Sequence, residues 1–290
     1  MNPYTKLQNR KRTWTPVQPT KGVLKEGAEE TIKRALAIRH MELPVGEFIS
    51  QGLERTVPST ARALLESNVQ DEIKHDLALG YIVDAHGADP KSELEAKRLR
   101  DAWIEHPDHT ITKALVAERA IFFVLLPMFR FLGDAALRTV SADISRDEQI
   151  HVATNSLVCA ELGLVPSSSL DKLRKATIQW VLQPLTENHT DKYLSKKFWL
   201  DASDQLMYQG KAPQFSDTKA ARMPAFFEHA NTNLHNMLEP IIGPTPESLL
   251  NELEETYPTF TPHPKQDLAS IMYLAGQRSV VEWYRERLTK

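Results

Sequence analysis

Asp147-Glu148-Gln149-Ile150-His151 and, earlier in the chain, Asp71-Glu72-Ile73-Lys74-His75 both contain Glu-x-x-His. Residues i and i+3 share one face of a helix, so each pair can present a carboxylate and an imidazole to one metal ion. About one such pair is expected by chance in a chain of this composition, so the motif alone is weak. The spacing strengthens it. Glu42 precedes Glu72, and Glu118 precedes Glu148, each by 30 residues, with Val57-Pro58 and Gly133 at the midpoints. In an antiparallel helical hairpin, residues equally far from the turn stand at one height. Fifteen residues at ~1.5 Å each put both ligands ~22 Å from the turn. Glu42 is therefore expected to face Glu72 and His75, and Glu118 to face Glu148 and His151. Glu47 shares a helix with Glu42 but would miss that height by ~7 Å.

Outward from these motifs the pattern is helical almost throughout. Helices are expected from Glu26 to about Arg55, with Pro44 kinking or locally breaking the run, and from about Pro58 to Ala85, ended by Gly87. Asp89-Pro90 opens a charged helix to about His106. Thr110 to Leu132 is apolar on nearly every face and should be central. Asp134 to Leu162 follows, closed by Gly163. Further helices are read at Ser167–Leu185, Asp191–Tyr208, Ala220–Leu238 and Asp267–Leu288. The stretch from Pro240 to Pro264 is proline-rich and irregular apart from a short helix near Glu247–Tyr257. The fold class is all-α: a ferritin-like four-helix bundle with extra C-terminal helices. It divides into an N-terminal tail (1–24), a dimetal helical domain (25–239), and a connector with a C-terminal helix (240–290). Two hairpins packed as a bundle would gather four carboxylates and two imidazoles, the dinuclear ligand set of ferritin-like carboxylate proteins. Oxygen and imidazole ligands suit iron or manganese. Glu118 sits among Ala, Val, Ile and Phe, where an unpaired carboxylate would be costly, although an ion pair with Arg119 is a structural alternative.

Composition removes other classes. The 290 residues carry 35 Lys+Arg against 38 Asp+Glu, a formal charge of -3, which counts against a nucleic-acid partner. One cysteine, Cys159, excludes a disulfide framework and any Cys-rich metal site. No phosphate-cradling GxGxxG or GxxxxGK[ST] is present. The longest apolar stretch, Ala120 to Met128, is far short of the ~18 residues of a membrane span. The N-terminus is basic and lacks the apolar core of a secretory signal. A reducing, cytoplasmic setting is expected. The basic run from Lys6 to Arg12 reads as a solvated tail.

Ile144-Ser145-Arg146-Asp147-Glu148-Gln149-Ile150-His151 resembles the Arg-Asp-Glu-x-x-His helix of the radical-generating small subunit of class I ribonucleotide reductases. Glu118, followed by Phe122 and Phe123, is similar to that family's preceding ligand helix, and Ala225-Phe226-Phe227-Glu228 resembles a late Phe-Phe-Glu segment. The similarity spans roughly residues 30 to 235. It implies that Glu42, Glu72, His75, Glu118, Glu148 and His151 hold two metal ions, an iron pair or manganese with iron. It makes Asp147 the carboxylate that hydrogen-bonds His75, on the route by which the oxidising equivalent leaves, with Trp14 completing that route. It also implies a homodimer and a large catalytic partner subunit, engaged by a C-terminal tail in which Tyr284, beside Trp283, would carry the redox step. One departure stands out. The family's radical-bearing Tyr lies four residues after the first ligand His, and Leu79 occupies that place here. Tyr81 is ~120° off the ligand face. The radical would then sit on another Tyr, or the metals would store the oxidising equivalent.

Two other classes fit the same ligands. A stand-alone di-iron oxygenase or oxidase needs a substrate tunnel to the metals, and a storage bundle is smaller and forms a cage. The long chain beyond the second hairpin speaks against storage.

Overall fold

The structure, a computed structural model, describes residues 2–54, 57–208, 249–251, 253–254, 257–259, 262, 266 and 268–288. The Ala220–Leu238 helix, the Phe226-Phe227 segment and most of the proline-rich connector lie outside them. Within them the chain is all-α, with no strand; one isolated bridge joins Thr186 and Ser195. No helix among the described residues is long and apolar enough to cross a membrane.

Four rods form the bundle. α1 is Pro3–Gln8 and α2 Glu29–Ala37. α3, Glu42–Glu54, pairs with α4, Ser59–His86. α6 (Thr110–Ala117) and α7 (Phe123–Leu132) are one rod interrupted by a π turn at Glu118–Phe122, and it pairs with α8, Ala135–Leu162. Contacts of α4 with α8 and of α3 with α6 close the ring. α5, Pro90–Glu105, flanks α2, while α9 (Ser168–Val181) and α10 (Lys196–Tyr208) lie against the π turn. α11, Leu268–Leu288, is tied to the stretch before it by Arg278 donating to the Tyr257 carbonyl and by an Arg285–Glu254 ion pair.

The boundaries follow local chemistry. Asp134 caps α8 by accepting from the Leu137 N–H, and Gly163 ends it in the left-handed conformation. Asp89 caps α5, with Pro90 in its first turn. The break expected at Pro44 falls one turn earlier. Ile38–Met41 is a 3₁₀ segment, and Pro44 sits in the first turn of α3. A proline ring collides with the carbonyl four residues back, here that of His40, so the irregularity must precede it. The apolar rod behaves as its sequence requires: Phe122, Phe123, Val124, Leu125, Leu126 and Met128 are all buried, each large side chain contributing about 1.5–3 kcal/mol.

The N-terminal segment is solvated only in part: Lys6, Arg10 and Arg12 are exposed as expected, but other residues are packed on the bundle. Tyr4 is buried and Lys11 largely so. Residues 9–25 run as a strap along the bundle. At the far end the Gly22 N–H donates to Asp134 at 2.7 Å and Lys25 N–H to the Leu132 carbonyl at 2.9 Å. A Cβ on Gly22 would stand 2.8 Å from Asp134, so this approach requires glycine.

Candidate metal centre

The hairpin arithmetic brings the six expected residues together. Glu42 leaves α3 at its first residue, just after the 3₁₀ segment; Glu72 and His75 come from α4; Glu118 opens the π turn; Glu148 and His151 come from α8. All six are buried. They form two overlapping quartets, Glu42–Glu72–His75–Glu148 and Glu72–Glu118–Glu148–His151, with one donor atom per residue and the four donors within 4.8 Å of one another. Glu72 and Glu148 belong to both, a sharing the height argument did not reveal.

The rings face inward through Nδ1. His75 Nδ1 lies 3.2 Å from Glu148, 3.5 Å from Glu72 and 3.7 Å from Glu42. His151 Nδ1 lies 2.9 Å from Glu72, 3.7 Å from Glu148 and 3.8 Å from Glu118. The two rings stack with centroids 5.7 Å apart.

Each ring is held from behind. His75 Nε2 is 3.2 Å from Asp147, and His151 Nε2 is 3.1 Å from Asp71. An ionised carboxylate only accepts, so each Nε2 carries a proton, which leaves Nδ1 as the nitrogen that would offer its lone pair to a metal. Burial works against charge on Asp71 and Asp147. The hydrogen bond from His151, with Lys11 and Lys74, nevertheless holds Asp71 below the usual carboxylate range, and that from His75 does the same for Asp147. Trp14 reaches Asp147 from the strap, its indole N–H donating at 2.7 Å, with its ring stacked 6.2 Å from that of His75. Lys11 reaches Asp71 at 2.6 Å and also donates to Ser67 and Asn68. Lys74 lies between, 2.8 Å from Asp71 and 3.4 Å from Asp147, with its ammonium 5.0 Å from the Trp14 ring centre. Asn155, one turn beyond His151, donates to Glu118 at 2.7 Å.

Inside the cluster, the polar atoms lack partners. Both oxygens of Glu72 and Glu148, one each of Glu42 and Glu118, and Nδ1 of both histidines have no hydrogen bond, all of them buried. Buried polar atoms are rarely left so, and four carboxylates without countercharge are costly. Burial raises Glu42, Glu118 and Glu148 above the usual carboxylate range. Burial opposes charge on His151 and on Glu72 too, but Glu148 and Glu72 raise His151 to about 10, and His151 and His75 bring Glu72 to about 2. The pocket draws positive charge, and its oxygen and imidazole donors fit hard or borderline divalent cations. Two buried Glu/His groups can thus hold metal.

Asp71, Lys11, Lys74 and Asn155 were not foreseen. For Asp71 the signal was present, because an Asp stands directly before each Glu-x-x-His. Tyr284 lies on α11, half-buried, one residue from the Arg285–Glu254 pair.

No protein-family profile and no curated protein matches the sequence. Among solved structures, a crystal structure from Bacillus halodurans, provisionally described as a class I ribonucleotide reductase, superposes with a TM-score of 0.50. The match covers 81% of this chain and 95% of that one at 13% identity, and it is a likeness of fold.

Proposed function

We propose that this chain is the radical-generating small subunit of a class I ribonucleotide reductase, working as a homodimer with a large catalytic subunit in deoxyribonucleotide synthesis. The observation that carries this reading is the hydrogen-bonded line from Trp14 on the strap through Asp147 to His75 in the cluster. A purely storage or structural site has no use for an oxidisable ring wired to one ligand. Held by the six residues, an iron pair or a manganese–iron pair would supply one-electron oxidising power drawn from oxygen. The chain's own residues do the rest. Glu72 and Glu148, common to both quartets, would help hold both ions, Glu42 and His75 would hold one, and Glu118 and His151 the other. Asp71 and Asp147 fix the imidazole tautomers. The apolar rod around Phe122 and Phe123 keeps water out. Trp14 is positioned to give up an electron, with its indole proton held at Asp147. Leu79 is buried and carries no phenol, so the oxidising equivalent resides elsewhere than in the family's usual place. Tyr284 is assigned the step toward the partner.

Aerobic reconstitution with iron, or with manganese and iron, followed by metal analysis and electron paramagnetic resonance, tests this. Two metals per chain and turnover dependent on both Trp14 and the large subunit are expected. Two metals with oxidation of a small molecule that ignores Trp14 would identify a stand-alone oxygenase instead.

A further inference from the structure

The π turn carrying Glu118 is the least ordinary backbone in the bundle. Its closing bond is made by the Phe123 N–H, which reaches the Glu118 carbonyl five residues back. Such turns are rare and interrupt the helical register by about one residue, or ~100° of rotation. Pro127 in α7 bears on the carbonyl four residues back, that of Phe123, so the irregularity has a local contribution. A second hold on the turn comes from outside. Ser203 on α10 donates its hydroxyl to the Ala120 carbonyl inside the turn, at 2.7 Å and fully buried. Arg119, the next residue after Glu118, donates Nε to the Leu206 carbonyl of the same helix at 2.7 Å.

The Ser203 hydroxyl is itself held. Arg174 on α9, buried to 1% exposure, donates Nη1 to its oxygen at 2.6 Å. A guanidinium only donates, so the single hydroxyl proton is committed to Ala120. Arg174 is in turn fixed by Asp171 at 2.7 and 2.9 Å and by Asp204 at 2.7 Å, and Tyr208 donates to Asp171 at 2.8 Å. A buried ionic group is a poor way to add stability, since apolar replacements of equal volume often do better. What this network adds is direction: it aims one hydroxyl at one carbonyl.

Building on the metal-site reading above, we propose that Ser203, held by Arg174, is a positioning residue for Glu118. Pinned through Ala120, the turn stays in the π form. Annealed to a regular α-helix, the α6 half would rotate against the anchored α7 half and swing Glu118 off the cluster. The clamp acts on the Glu72–Glu118–Glu148–His151 quartet and leaves the Glu42 quartet alone.

The test is a manganese(II) titration of the apoprotein followed by electron paramagnetic resonance. A single bound ion gives an uncoupled signal, which is replaced by that of a coupled pair as the second ion enters. In Ser203→Ala the first ion should bind as in the wild type, and the coupled pair should need roughly tenfold more manganese, the size of one lost buried hydrogen bond. Ser203→Thr, which keeps the hydroxyl, should restore it. If Ser203→Ala does not fold, Arg174→Lys, which cannot hold Ser203 and Asp171 together, reads the same ratio. An unchanged second step would overturn the clamp, and so would equal weakening of both steps, which marks general destabilisation. No manganese bound by the wild-type chain would overturn the metal reading, and the clamp with it.

Discussion

Around His75 the contacts run outward through Asp147 to the indole of Trp14; around His151 they run through Asp71 to the ammonium of Lys11. The inner parts are the same: a Glu-x-x-His, an Asp one residue before it on the opposite helix, and a ring proton donated to that Asp. The outer partners come from one strap, at positions 11 and 14. An indole can lose an electron, and an ammonium cannot. Two alike quartets therefore have unlike outer partners, and on the function proposed above it is the strap that would decide which side conducts. Lys74 touches both carboxylates, so the two sides share one cation.

The largest expected effect comes from erasing the comparison. Glu148 is in both quartets. Glu148→Ala should therefore lose both ions, weakening binding beyond the roughly 10–100-fold typical of removing an outer partner of a ligand. Glu118→Ala and Glu42→Ala should each lose one ion, from opposite sides, with the bundle still helical. Metal counting by elemental analysis after gel filtration separates the cases. Two ions retained in Glu118→Ala would remove that residue from the site.

A sharper contrast exchanges the exits. Trp14→Phe keeps an aromatic ring but removes the indole N–H and raises the cost of oxidation. Turnover with the large subunit should fall by at least about 10²-fold, with metal content unchanged. Lys11→Met should do the reverse: turnover stays within a few-fold, and the His151-side ion binds up to about tenfold more weakly because Asp71 loses an anchor. Turnover losses of equal size in the two variants would show that the exits are equivalent and that the Trp14 line is a packing feature.

How far these features were legible in the sequence depends on the range of the forces that made them. Helix spans and ligand heights are set by periodicity and by turns, and both are local. The equal separations Glu42–Glu72 and Glu118–Glu148 therefore point to the cluster from sequence alone. The π turn at Glu118 is only half legible: Pro127 announces an irregularity, but the hydroxyl that reaches into the turn, on Ser203, lies far along the chain on another helix. The 3₁₀ segment before Glu42 was half legible: Pro44 announced a break and steric geometry moved it. Lys11 was hidden for a different reason. A basic run in a short N-terminal segment carries the same pattern whether it is solvated or strapped to a carboxylate. What distinguishes the two is contact with residues far along the chain, such as Trp14 with Asp147 and Gly22 with Asp134, each more than a hundred residues away.

The smallest expected effect concerns the other end of the strap, where the contacts are structural. Asp134 caps α8, accepts from the Gly22 N–H and sits 3.0 Å from His86 Nε2. Burial pushes its carboxyl up, but the Leu137 and Gly22 N–H groups and His86 outweigh that and hold it below its ordinary 3.8. A group depressed in the folded state contributes stability that is complete above its unfolded value and fades as pH falls through the folded one. Asp134→Ala should therefore cost about 1–2 kcal/mol at pH 7 by urea titration, the size of a lost N-cap, and the gap to wild type should narrow progressively below pH 3.8. Metal content should not change, since no cluster residue touches Asp134 in its hydrogen bonds. A gap that stays constant into acid would mean that Asp134 acts through shape and not charge. Lost metal would mean that the two ends of the strap are mechanically joined, and that the exits at Trp14 and Lys11 depend on how the strap is tied at Gly22.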